Sequence, residues 1–546
     1  MAPQPGVFGA LDHPSQHGFV DREVLEIHGW CLFDGSRVAR VDVTLNGRAL
    51  GLARAYVQTP GIASIHGHPD APVAGFELLT SLEPGSAGEE CLVSVEATSL
   101  DGRRWRSATH SVTWTPPPDA GLDRGDVLLR RSVDALTGMP RGGSRVLIFT
   151  HEMTLGGGQL WLLELLRQLT ECSTLECSVV SMTDGPLRVE LEELGIPVHV
   201  TCDWRFDDVA GYEGRVHELA MLINANDAGA VLVNTLGVFP AVDASARADV
   251  PCVWAIHDSI EPAAYHHISS GGRGTHPHIR ARFDDCFRTA RSVVFVARQT
   301  ADMFAHLCEP DQPLVVDYNV DVSAIAGYRA DVDRSALRSA GGFDDGSVVV
   351  VVVGVFEARK AQAAVIAAFD ELAVMHPNLR LVLVGARPGA YTDGLREQLR
   401  RCESRARVQV VPVTADVYPW FAMADVMLCA SDLESLPRSI LEAMAFGLPI
   451  VSTDVFGIDS LIEDGRTGWL TGARDLESLI GRLHLVLRMS TADRKVVGDR
   501  ARVAVAQRGA SGYGVTFARA LAQLIDDPSA DGAVAFAGPQ ASGVPA

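Results

Sequence analysis

Along residues 17–115 apolar and polar positions alternate with a period of two, as in VDVTLNGRALGLARAY around Asn46-Gly47 and CLVSVEATSLDGRRW around Asp101-Gly102. Alternation on both sides of an Asn-Gly or Asp-Gly pair is a hairpin signal, and no helical period intervenes. The segment therefore predicts a small antiparallel β-sandwich. Its proline-marked exit, TWTPPPDAG (113–121), predicts a linker over 116–143 that uncouples the module from the rest of the chain, so that a chain starting near Gly125 would fold by itself.

From Arg145 the pattern changes. RVLIFT, CSVVSM, AVLVNT, PCVWAIH and SVVFVA are short apolar runs separated by helical stretches such as LWLLELLRQL. SVVVVVVGVF, LRLVLVG, RVQVVPV, ADVMLCAS and LPIVSTD form a second series. Runs apolar on both faces, alternating with helices, are parallel strands covered on both sides. The expected fold class is α/β, with two doubly wound, Rossmann-like domains over 144–322 and 323–510 facing a cleft, behind the all-β module. Residues 1–16 predict a disordered N-terminus, 511–527 a C-terminal helix, and 528–546 a disordered tail.

A length of 546 residues requires several cores. A net charge of −21 argues against nucleic acid as a partner. No apolar run is long enough to cross a bilayer, and the N-terminus lacks the basic-then-apolar order of a signal peptide. The ten cysteines show no metal-ligand spacing, which suits reduced thiols in a cytoplasm. Only Lys360 and Lys495 are lysines, so a lysine at a strand end stands out.

Open parallel sheets bind ligands outside the carboxyl ends of their strands. Three motifs fall there in the second series. SDLESLPRSILEAMAFGLP (431–449) places Glu434 in the loop after a strand and Glu442 in a helix that begins near Pro437 and stops at Gly447. The free N–H groups of that helix attract an anion such as a diphosphate. Carboxylates beside a diphosphate make sense as acceptors for the vicinal hydroxyls of a ribose or hexose. GVFEARKAQ (354–362) sets Arg359 and Lys360 at the start of a helix, where two cations balance a diphosphate leaving group without a metal. VGARPG (384–389) brings backbone at Gly385 within reach of a flat base.

Taken together, the E-x7-E of ESLPRSILEAMAFGLPIVSTD, the following DGRTGWL and the segment GVFEARKAQ resemble the donor site of the retaining GT-B glycosyltransferases of family 4. HEMTLGGGQLWLLELL is similar to that family's glycine-rich acceptor-side loop, and VNTLGVFPAV and VWAIHDS resemble further segments of it. The likeness covers roughly 145–525 and leaves the β module outside. It implies that Glu442 holds the ribose, Glu434 the transferred sugar, and Arg359 and Lys360 the diphosphate. It also implies that N–H groups near Arg438 and Ser439 cap phosphate or sugar, that Gly156, Gly157 and Gly158 admit the donor, and that His257 lies near the anomeric carbon. His257, Glu434 and Lys360 would then be the catalytic set. Val355, Pro437 and the YNVD of 318–321 depart from the family's usual residues.

The resemblance implies a hexosyl transfer from a nucleotide-diphosphate sugar to a hydroxyl, with retention, in bacterial glycan or glycoconjugate synthesis. No metal and no cofactor beyond the nucleotide sugar are expected. The acceptor classes left open are glycan, lipid-linked and protein. The expected location is the cytoplasm, with its membrane face as an open alternative. The β module is left with three roles: glycan binding, positioning of a partner, or homo-oligomer formation. Two rival functions are a non-catalytic scaffold binding nucleotide sugar or glycan, and a sugar-nucleotide epimerase on the same fold.

His266, His267, His276 and His278 crowd YHHISSGGRGTHPHIRARF, and Asp331 and Asp333 form an acidic pair. The glycine-rich middle of the first favours an acceptor-side loop over a metal site, and the second lies in a polar connection away from any strand end.

Overall fold

The computed structural model describes residues 5–15, 18–21, 24–64, 66–82, 89–115, 144–201, 208–270, 275–309, 313–508 and 513–528. They form two compact units, one of 1–118, 263–265 and 319–509, the other of 119–262, 266–318 and 510–546. The linker predicted over 116–143 and, Pro528 aside, the tail over 528–546 lie outside the described residues.

In the first unit the alternating segment folds into β1 (Val7–His13), β2 (Gly18–Asp21), β3 (Val24–Phe33), β4 (Val38–Leu45), β5 (Arg48–Val57), β6 (Gly75–Ser81), β7 (Glu90–Ser99), β8 (Arg104–Arg106) and β9 (His110–Thr115). Asn46-Gly47 closes the β4–β5 hairpin, with Leu45 opposite Arg48. Asp101-Gly102 lies between β7 and β8, which pair Thr98 with Arg104. Every second side chain, including Leu25, Ile27, Val41, Val43, Val93 and Val95, enters one buried core. Two expectations are corrected here. Within the span 1–16, residues 7–13 are not a disordered lead: Val7–His13 pairs antiparallel with β3, and Val7 and Leu11 pack on the core. Nor do the strands separate into two facing sheets. Pairing runs β3-β2-β9-β7-β4-β5-β6 and returns to β3 by placing Ile27 opposite Leu78, so one sheet closes around one core. Closure satisfies edge strands that a small sandwich would leave open.

The second unit holds seven parallel strands: β10 (Arg145–Thr150), β11 (Glu176–Ser181), β12 (Val198–Val200), β13 (Ala230–Asn234), β14 (Cys252–Ile256), β15 (Ser292–Phe295) and β16 (Pro313–Val315). Their order, β12-β11-β10-β13-β14-β15-β16, reverses direction between β10 and β13. The C-terminal helix Tyr513–Asp526 belongs to this unit. It packs on the helix Gly157–Cys172: the Tyr513 ring stacks 5.6 Å from that of Trp161, and Tyr513 Oη donates to Trp161 O at 3.1 Å.

Returning to the first unit, β17 (Val348–Val353), β18 (Leu379–Ala386), β19 (Val408–Pro412), β20 (Val426–Cys429), β21 (Ile450–Thr453) and β22 (Trp469–Thr471) form a parallel sheet. Its order, β19-β18-β17-β20-β21-β22, reverses between β17 and β20. The β module is built onto this layer. Tyr56 and Val73 share a buried cluster with Val350, Ala363, Ala367 and Leu395. The buried Arg37 guanidinium donates to Ala367 O and, at 2.6 Å, to Asp370 of the helix Gln362–Met375. Arg401, at the end of the helix Ala390–Arg401, donates to the module's Ala63 O and His66 O, both at 3.0 Å. An uncoupled module is therefore not what the chain forms. The proline-rich exit says nothing about faces that meet through residues hundreds of positions apart.

Candidate active site

The reversal between β17 and β20 opens a crevice at their carboxyl ends, and the loops leaving these two strands carry the lysine and glutamate motifs. After β17 the chain turns at Gly354 and runs into a short 3-10 turn, Ala358–Lys360. Arg359 and Lys360 thus precede the helix instead of opening it, because Ala361 adopts a left-handed conformation (φ 53°) before the helix starts at Gln362. Lys360 lies over Gly354: a Cβ there would stand 3.8 Å from Lys360 Cδ and Cε, in ordinary contact. Gly385, leaving β18 at φ +121°, sits against the same turn. A Cβ there would meet Gly354 O at 2.2 Å, so only glycine lets the two strand ends close together. The close approach made by Gly385 is to Gly354, a backbone neighbour that its motif did not announce.

Glu434 is buried in the loop after β20 and its carboxylate receives Lys360 Nζ, while Arg359 Nη1 stands 3.7 Å away. Burial alone would raise this carboxyl. Lys360, then Arg359, reverse that and hold it below the usual carboxylate range. Arg359 is otherwise turned to Glu357 at 2.9 Å and to Leu433 O at 3.2 Å. Glu357 also binds Arg387 at 2.9 Å, so Arg387, an unremarked residue of VGARPG, joins a cluster of three cations. Four residues beyond Glu434 the helix Arg438–Phe446 begins, capped by Pro437 and ended by Gly447 at φ 74°. Arg438 and Ser439 form its first turn, and Arg438 Nε donates to the buried Glu442 Oε1 at 2.9 Å. The Arg438 side chain, not only its N–H, therefore orients Glu442.

Gly157, Gly158 and His257 lie in the other unit, where they form a group of their own at the reversal between β10 and β13. Gly156 caps the helix Gly157–Cys172, and Gly158 lies against the His257 ring. His257 Nε2 donates to Asn234 Oδ1 at 2.9 Å, and Asn234 Nδ2 donates to Thr150 Oγ1 at 3.2 Å and Gly158 O at 3.4 Å. Trp161 packs 4.4 Å from the imidazole centroid. Burial lowers the His257 pKa to about 4, against the opposing charge of Asp258. At neutral pH it is a neutral ring whose Nε2 hydrogen is committed to Asn234. The sequence alone did not announce Asn234 in this role.

Residues 333–503 match the family model of the glycosyl transferases group 1. That segment contains Lys360, Glu434 and Glu442. Over 199 residues the chain is 28% identical to the N-acetyl-alpha-D-glucosaminyl L-malate synthase of Bacillus anthracis, spanning 36% of this chain and 50% of that protein. It is 30% identical over 189 residues to the D-inositol 3-phosphate glycosyltransferase of Rhodococcus erythropolis, spanning 33% and 42% respectively. The chain thus spans half or less of the length of these curated relatives. Among solved structures, Anabaena HepE in complex with UDP and glucose superposes with a TM-score of 0.58 at 21% identity, over 70% of this chain and 99% of that one. Sucrose-phosphate synthase from Thermosynechococcus elongatus does so with a TM-score of 0.55 at 16% identity, over 70% and 99%. The fold is GT-B. No helix among the described residues is long and apolar enough to cross a membrane.

Three of the four histidines of the glycine-rich segment go to different partners. His276 caps the helix Pro277–Thr289, His278 Nε2 lies 2.7 Å from Glu213, and His266 is buried with its ring 4.7 Å from Phe283. Asp333 caps the helix Arg334–Ala340 by accepting from Ala336 N at 3.0 Å. Burial lowers the His266 pKa to about 3, with Arg280 adding to it. Below about pH 6.5 the unfolded chain binds a proton that the folded chain refuses, so stability falls with pH by about 1.4 kcal/mol per unit for this group. The melting temperature is expected to drop between about pH 7 and about pH 5, and to drop less in His266→Phe. Equal pH dependence in the two proteins would mean that His266 titrates as an ordinary histidine.

Proposed function

We propose that the chain is a retaining glycosyltransferase, moving a hexosyl group from a nucleoside diphosphate sugar to an acceptor hydroxyl without a metal ion. The observation that carries this reading is the Lys360–Glu434 pair beside Arg359 at the β17/β20 reversal, inside the segment matched to glycosyl transferases group 1. Before donor arrives, the cation and carboxylate neutralise one another in a largely buried place. A diphosphate offers Lys360 a second anion, and the sugar offers Glu434 hydroxyls to accept from, so donor binding exchanges one internal pair for two external ones. The UDP and glucose held by HepE support a nucleotide sugar as the ligand of this fold.

In the reaction the bond from the anomeric carbon to the diphosphate oxygen breaks, and the bond to the acceptor oxygen forms on the same face. The acceptor proton passes to the leaving diphosphate oxygen. Negative charge grows on the diphosphate, where Lys360, Arg359 and the N–H groups of Arg438 and Ser439 stabilise it. Glu434 orients the sugar and Glu442 the ribose. His257, neutral and with its Nε2 hydrogen held by Asn234, is not poised as a proton donor.

The test is incubation with a panel of nucleotide sugars and acceptors, reading free nucleoside diphosphate and the anomeric configuration of the product. Stoichiometric diphosphate release with retained configuration, in excess chelator, is expected. Inverted product, or activity restored only by added divalent cation, would refute the mechanism. Epimerised donor without a glycosylated product would identify an epimerase instead. Glu442→Ala is expected to weaken donor binding by about 1–3 kcal/mol, since it removes a buried acceptor from the ribose and the partner that Arg438 Nε donates to. Calorimetry on the folded variant checks this, and unchanged affinity would take Glu442 out of the site.

A further inference from the structure

The loop that carries Glu434 is held from behind by a residue of the β module. Asp432, two positions before Glu434, is buried, and its carboxylate receives Arg54 Nε from β5. Arg54 is itself fixed: Nη1 donates to Glu77 Oε1 at 2.5 Å, and Glu77 is its register partner on β6. Arg474, from the turn before the helix Leu476–Arg488, reaches Asp432 at 3.7 Å and donates to the module's Leu52 O at 2.7 Å. On its other side Asp432 N donates to Arg359 O at 2.7 Å, and Arg359 Nη1 returns to Leu433 O. The chain of contacts runs from Glu77 through Arg54 and Asp432 to the segment bearing Arg359, Lys360 and Glu434. Its links are ion pairs and backbone hydrogen bonds, and the Arg54–Asp432 pair is largely shielded from water, where it is geometrically demanding.

We propose that the β module is a built-in support of the donor site, with Arg54 as a positioning residue that holds the 431–434 loop through Asp432. The substrate assigned to that site rests on the glycosyltransferase reading above; the support of the loop does not. Losing Arg54 leaves Asp432 buried beside Arg474 alone, so the loop shifts to solvate it and carries Glu434 away from Lys360. Arg401 docks the same module through Ala63 and His66 and touches nothing in this loop, so it separates docking from positioning.

The experiment compares full-length wild type, Arg54→Met, Arg401→Met and the double variant Arg54→Met/Asp432→Asn by melting, by hydrogen exchange at 431–436 and by donor kinetics. Arg54→Met is expected to speed exchange in 431–436 and to lower kcat/KM for the donor by about tenfold or more. Arg401→Met is expected to stay within about twofold in kcat/KM at a comparable loss of melting temperature. The double variant should recover part of the loss, because it removes the buried charge that Arg54 serves. Unchanged exchange in Arg54→Met, or an equal kinetic loss in Arg401→Met, would overturn the proposal. If wild type transfers sugar from no nucleotide donor, the functional reading falls, and exchange at 431–436 still decides whether Arg54 holds the loop.

Discussion

Lys360→Ala is expected to lower kcat by about 10²–10³ while raising the donor Kd far less, because charge on the leaving diphosphate grows in the transition state. Lys360 also restrains Glu434, the buried carboxylate it pairs with. Without the lysine, burial acts on that carboxyl with Arg359 and the Ser431 hydrogen bond left to oppose it, so it rises from its depressed position. In the wild type, a carboxyl below its usual range keeps the ion pair intact at neutral pH and loses it only as pH falls beneath the usual carboxylate range. In Lys360→Ala the acid limb of the rate profile should therefore move to higher pH, a shift that simple loss of phosphate affinity would not produce. Steady-state kinetics across pH, with donor affinity from calorimetry, check both parts. A loss confined to donor affinity, with kcat intact, would place Lys360 outside the transition state.

Removal of residues 1–118 is expected to leave an insoluble protein or one that melts at least about 10 °C lower. Tyr56 and Val73 are lost from the cluster they share with Val350, Ala363 and Leu395. Asp370 and Asp432 lose Arg37 and Arg54. Two buried apolar side chains and two stranded carboxylates together amount to about 5 kcal/mol or more. At about 2–4 °C per kcal/mol for a unit of this size, that is a fall of about 10–20 °C. Calorimetric melting of a chain beginning at Asp119 checks it. A soluble truncation melting with the full chain would make the module an accessory, as its proline-rich exit suggests.

The two α/β layers and the donor motifs were legible in the order of residues alone. Strands buried on both faces must be apolar at every position, so VVVVVV and VMLC are legible as strands without knowing their neighbours. The helix around Glu442 is bounded by Pro437 and Gly447, residues whose backbone preferences act locally. Short edge strands escaped: Val198–Val200, Pro313–Val315 and Trp469–Thr471 have three residues each, too few for a period. Pairings between distant residues needed the folded chain. Lys360 and Glu434 were each named from their motifs, but their ion pair across 74 residues came from two strands lying side by side. The closure of the β module came from β3 meeting β6, and the end of the chain returned to Trp161. Arg54 and Asp432, 378 residues apart, are two ordinary charged positions in a chain full of arginines and acids. Their importance arises from burial together, because a charge sheltered from water must find its partner wherever the fold places one.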